Sequence, residues 1–108
     1  MERLLLKVTI DRPIGYQDDF GNIYPINYGY IAGIIAGDGE EQDAYVLRTS
    51  DEPLKEFTGY LVAIIRRKDD VEDKWVIAEA NQTYSAQEIY QAVEFLEKYF
   101  DSEIELIE

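Results

Sequence analysis

The chain has 108 residues, one domain's worth, with room for a single modest core. Ten Lys and Arg against 23 Asp and Glu leave a formal charge of −13, so nucleic acid and anionic membrane surfaces are excluded as general partners by repulsion. With no Cys and no His, disulfides, zinc fingers, iron–sulfur clusters, thiol nucleophiles and imidazole ligands and proton shuttles are excluded as well, leaving carboxylates, Lys, Tyr or an oxygen-held metal for any chemistry.

At 46% hydrophobic and 13% aromatic the chain is apolar enough to fold. It has no run near the roughly 20 apolar residues of a membrane span and no signal-peptide pattern at its start, so a cytoplasmic location is expected. Leu4 to Ile10 reads as a strand stopped by Asp11-Arg12-Pro13, and Asp18 to Asn22 reads as a turn. Tyr24 to Ile35 is aromatic and β-branched, with Gly29 and Gly33 marking bends or bulges. Ala44 to Leu47 is a short strand, and Thr58 to Ile65 pairs with Trp75 to Ala78 across the polar Arg66–Lys74 connection, a hairpin. Ser85 with Glu88 makes a capping box, after which Ile89, Val93, Leu96 and Phe100 repeat at helical spacing, widened by Ala92 and Tyr99. These elements predict a single domain over residues 1–108, mostly β with one C-terminal helix on a small closed β-barrel.

Three segments carry possible chemistry. In Asp38-Gly39-Glu40-Glu41-Gln42-Asp43 a glycine turn lets Asp38, Glu40 and Asp43 converge, which needs a hard cation between them; Mg²⁺ or Mn²⁺ would suit all-oxygen donors. Asp69, Asp70, Glu72 and Asp73 form a second acidic loop, and two such loops side by side could position a phosphate between metals. Each loop also reads as a solvated turn in an acidic protein. Tyr24-Pro25-Ile26-Asn27-Tyr28-Gly29-Tyr30-Ile31 reads as core strand, with Tyr28 equally suited to donate to a phosphate oxygen.

Together these segments resemble the family I, Mg²⁺-dependent inorganic pyrophosphatases. The family's Tyr-Pro-x-Asn-Tyr-Gly-Tyr-Ile is matched by Tyr24–Ile31, and its Asp-Gly-Asp-Pro-x-Asp by Asp38–Asp43 at the same distance. Val62–Ile65 with Asp69 and Asp73 resembles its later strand and paired aspartates, and Phe95–Tyr99 its C-terminal helix. The resemblance implies a five-stranded, OB-like barrel and Mg²⁺ (or Mn²⁺) held by Asp38, Asp43, Asp69 and Asp73. It implies phosphate contacts from Tyr28 and Tyr99, and catalysis by Glu40, at the place of the water-activating aspartate, with Asp38 and Asp69. The implied reaction is hydrolysis of inorganic diphosphate to two orthophosphates, by a homo-oligomer. The family's early Lys-x-Glu pair and the Arg before its Tyr-Pro have no counterpart. Its lysine two places after the second aspartate falls on Trp75, with Lys74 one place early and so on the other strand face. Its lysine after Tyr99 is Phe100. Lys74 and the Arg66-Arg67-Lys68 run, in which Arg66 and Lys68 share a strand face and Arg67 takes the other, are the expected replacements for this phosphate clamp, with Arg48 and Lys55 as further cations. The depleted clamp sets a second expectation beside weak hydrolysis: a non-catalytic module that binds a metal or phosphate ligand. Hydrolysis of another phosphate compound is a third.

Overall fold

The computed structural model describes residues 3–107. Six strands and one helix follow in the order β1 (Leu5–Arg12), β2 (Tyr28–Ile35), β3 (Glu41–Leu47), β4 (Glu56–Arg67), β5 (Asp73–Ala78), α1 (Ala86–Glu97) and β6 (Ser102–Leu106). Strands are ordered β1-β2-β3-β5-β4, and β1 also pairs with β4, so five strands close on themselves as expected. All neighbours are antiparallel except β3 and β5, which run parallel, Ala44 beside Trp75 through Leu47 beside Ala78. Closure leaves no open edge among these five strands.

Strand β6 is the element the sequence reading lacked. Its Ser-Glu-Ile-Glu-Leu run pairs with β4 from Arg67–Ser102 to Ala63–Leu106. The first half of the same β4 edge, Glu56–Tyr60, is taken by β1. The two partners meet in the middle: Leu61 donates its N–H to the Leu4 carbonyl, and Ile107 donates to Val62.

Alternation along the strands sorts the apolar residues into two clusters. Leu6, Val8 and Ile10 of β1 join Ile31, Ala44, Val46, Leu61, Ile77 and Trp75, one contribution or more from each barrel strand; this cluster fills the interior. Their sequence neighbours Tyr28, Tyr45, Leu47, Ile65, Val76 and Ala78 face outward and are covered by Ile89 and Val93 of α1. Gly29 is required where β1 crosses β2, because a Cβ there would lie 1.9 Å from the Thr9 carbonyl oxygen. The capping box is present: Ser85 Oγ accepts from the Glu88 N–H, and Glu88 accepts from the Ser85 N–H. The helix stops at Glu97, so Phe100 lies beyond it. Among the described residues no helix is long and apolar enough to cross a membrane.

Candidate functional site

Where the cover of α1 ends, the outward face of β2, β3, β4 and β5 lines a cavity of about 530 Å³. Strand alternation decides what enters it. From β2 comes Tyr28, from β3 Asp43, from β5 Lys74 and from the end of β4 Arg67, with Glu72 from the β4–β5 turn. Arg12 of β1, the turn bearing Asp18, Phe20 and Asn22, and the post-helix residues Tyr99 and Phe100 complete the wall.

Lys74 is the centre of the polar end. Its side chain is buried, and its ammonium donates to Asp43 Oδ2 at 2.7 Å and to the Glu72 carboxylate. The Tyr28 hydroxyl donates to the same Asp43 oxygen at 2.9 Å. Burial lifts the Tyr28 phenol well above its usual value, with Asp43 adding to the rise. Glu72 is also lifted by burial and by the neighbouring Asp38 carboxyl, against the pull of Lys74, while Asp38 is held below its ordinary value beside Glu72.

A second ionic group lies beneath the cavity floor. Glu97 has no exposed surface, and Arg67 holds it bidentately, Nε to Oε1 at 3.1 Å and Nη2 to Oε2 at 2.6 Å. The Tyr45 hydroxyl and Ser102 Oγ each add a donor at 2.6 Å. Burial alone would raise the Glu97 carboxyl, but these donors outweigh it and hold the group below its ordinary value. The Phe100 ring packs 3.7 Å from the Arg67 guanidinium.

Arg12 differs from both. Its one side-chain hydrogen bond among the described residues goes to the Tyr24 hydroxyl at 2.7 Å, and its guanidinium is ringed by Tyr16, Tyr24 and Tyr28 at 5.5–5.8 Å. No described carboxylate lies within ion-pairing distance of it.

Of the residues expected at a site, Tyr28, Asp43, Lys74 and Tyr99 line this cavity, and Asp38 adjoins it through Glu72. The others lie elsewhere. Asp73 alternates with Lys74 and so faces the other way, accepting from Arg66 at 3.1 Å; Arg66 in turn also reaches Glu105 at 2.9 Å. Asp69 accepts the Asp101 N–H, and Lys68 is exposed beside Glu103. Glu40 is exposed in the glycine turn, where Gly39 has φ of 85°, and its N–H donates to Asp38. The expected gathering of Asp38, Asp43, Asp69 and Asp73 is therefore not formed: alternation on β5 turns Asp73 away from the face of Asp43, and Asp69, in the β4–β5 turn, is directed to the Asp101 backbone. The hairpin presents Glu72 and Arg67 instead. The lysine that the resemblance places two residues after a carboxylate is met by Lys74 after Glu72. Arg12 and Glu97 escaped the sequence reading, and Arg67 and Glu72 entered it only as members of the Arg66–Lys68 run and of the acidic loop; for Glu72-x-Lys74 the signal was present and read one residue out of step.

The donor set does not suit a divalent ion. Such an ion is commonly held by one or two carboxylates, with waters or phosphate oxygens completing its shell, and the two carboxylates at the polar end of this cavity, Asp43 and Glu72, are both engaged by the Lys74 ammonium. Among the described residues no group of three or more acidic side chains is arranged to hold a metal.

No family model matches the chain, and no curated protein matches it in sequence. Solved structures do match. An inorganic pyrophosphatase from Ehrlichia chaffeensis superposes with a TM-score of 0.72 at 17% identity, covering 95% of this chain and 86% of that one. Those from Coxiella burnetii and Helicobacter pylori each give 0.65 at 18% identity, covering 100% and 99% of this chain and 88% and 86% of theirs. The chain has the fold of the bacterial inorganic pyrophosphatases, a closed five-stranded barrel with one covering helix. What differs from the expectation is the furnishing of that fold.

Proposed function

We propose that this chain is a pyrophosphatase-like barrel that binds a small phosphate compound without hydrolysing inorganic diphosphate. The observation that carries the reading is Lys74, whose ammonium stands between Asp43 and Glu72 where a divalent ion would otherwise be needed. Positive charge toward a ligand then comes from side chains: the unpaired Arg12 guanidinium and the one N–H of Lys74 not engaged by its carboxylates. Activation of an attacking water by a bound metal would need carboxylates that here are engaged by Lys74, which argues against in-line hydrolysis at this end of the cavity. Calorimetric titration with inorganic phosphate in a chelator should give binding, weakened about ten-fold or more in Arg12→Gln, since a charge-assisted contact is worth roughly 1.5–3 kcal/mol. Phosphate release from diphosphate with Mg²⁺ should stay at the protein-free background; metal-independent binding lost altogether would sink the proposal.

Hydrolysis of diphosphate is the second reading. It is favoured by the presence of Asp43, Glu72, Lys74, Tyr28 and Tyr99 around one cavity of a fold shared with inorganic pyrophosphatases. Mg²⁺-dependent release that disappears in Asp43→Asn would establish it in place of the first.

A further inference from the structure

The cavity offers more than contacts for inorganic phosphate. Phe20, Leu96, Tyr99 and Phe100 add an apolar and aromatic stretch to the wall that also carries the charged group at Lys74. Phe20 is 91% exposed, an unfavourable placement for a benzyl group unless something covers it. Its position is nonetheless fixed. Asp18 Oδ1 accepts the N–H groups of Phe20 and Asn22, each at 2.9 Å, Asp18 Oδ2 accepts from the Asn22 amide, and the Tyr99 hydroxyl reaches Asn22 Oδ1 at 3.3 Å. These bonds fix the backbone of the turn from which the Phe20 side chain reaches the cavity wall that Tyr99 also lines.

Charge narrows the ligand further. Lys74 is paired with Asp43 and Glu72, and Arg67 with Glu97, which leaves Arg12 as the one lining cation without a described carboxylate partner. With two carboxylates on Lys74 and Asp18 also on the wall, the lining holds no surplus of cations for the three or four charges of diphosphate, while the Arg12 guanidinium can meet the one or two of a phosphate monoester. The volume, about 530 Å³, lies within the roughly 300–1,000 Å³ of pockets for small organic ligands.

We infer that the occupant is an aromatic phosphate monoester of nucleotide size, its phosphate on Arg12 and its ring against Phe20 and Tyr99. This rests on the reading of the cavity as a phosphate-compound site and names the class of compound. The side of the ligand away from the phosphate supplies the selectivity, by stacking on rings that carry no charge.

The test is isothermal titration of the full chain with phenyl phosphate, adenosine 5′-monophosphate and methyl phosphate, three monoesters of like charge. At least one aromatic ester should bind about ten-fold or more tightly than methyl phosphate, the size of one stacking contact. Phe20→Ala, a change at an exposed position that leaves the core untouched, should remove that advantage, bringing the aromatic esters to the affinity of methyl phosphate in the same variant. Methyl phosphate binding as tightly as both aromatic esters, or an advantage that survives in Phe20→Ala, overturns the inference while leaving the phosphate site standing. Absence of binding by all three overturns both.

Discussion

Arg66 and Arg67 are neighbours at the end of one strand, and their surroundings could hardly differ more. Arg66 faces away from α1, about half exposed, bridging Asp73 and Glu105. Arg67 faces the helix, nearly buried, with a carboxylate that has no exposed surface and two hydroxyl donors around it. The chemistry of the pairs is the same; solvent is the variable. An exposed pair gains little because water screens it and both side chains lose freedom. A buried pair is costly to assemble, yet removing one partner strands the other charge in a medium that cannot hydrate it.

The comparison predicts a steep order of effects. Glu97→Ala leaves the Arg67 guanidinium without its bidentate partner and should cost about 3–5 kcal/mol in urea denaturation, enough to threaten folding of a chain this size. A loss under about 1 kcal/mol would mean that Asp70 and Glu72, at 3.6 and 3.7 Å from Arg67, had taken over the charge. Lys74→Met, which strips the ammonium from Asp43 and Glu72, should cost about 1–3 kcal/mol. Millimolar Mg²⁺ should recover part of that loss in the variant and do nothing for the parent chain, a difference readable by thermal melting. Arg66→Ala should change stability by no more than about 1 kcal/mol, and less at high salt.

Acid sharpens the same contrast. Glu97 is held below its ordinary value of 4.5, so in the window beneath that value the unfolded chain binds the extra proton and stability rises with pH. The contribution is complete above about 4.5 and is lost as pH falls through the depressed folded value. Denaturation series at pH 3 to 6 should show this slope in the parent chain and a shallower one in Glu97→Gln; parallel slopes would assign the acid sensitivity to other carboxylates.

How far the sequence foretold all this depends on the kind of signal each part leaves. Helix α1 announces itself through Ser85, Glu88 and the Ile89–Val93 repeat, local features that burial does not overrule. The β4–β5 hairpin was equally legible, and the short strands with Gly-marked bends and one helix already pointed to a closed barrel; of the Tyr24–Ile35 segment, the strand begins only at Tyr28. The parallel pairing of β3 with β5 leaves no local trace, being fixed by what lies between them. Strand β6 hid in an acid-rich run with only Ile104 and Leu106 to mark it. In the site, the period of two is unforgiving: five candidate acids and bases crowd residues 69–74, and choosing Asp73 over Glu72 moves the prediction to the far side of the sheet. Glu97 follows Ile89 and Val93 at spacings of four, which puts it on the buried stripe, but a carboxylate there finds its partner only when Arg67, thirty positions away, is seen to meet it. Arg12 carries no motif, and only barrel closure brings it to the cavity wall.

The shared edge of β4 has one more consequence. Leu4 and Ile107 are held by consecutive residues, Leu61 and Val62, so the outermost described parts of the chain lie side by side on one seam. A few glycines could therefore bridge them, and new ends could be opened in the exposed stretch at 51–53 without cutting a barrel strand. Such a circularly permuted protein would keep every neighbour relation of the parent while changing the order in which the strands are made. The architecture is, in this sense, a ring whose starting point is arbitrary.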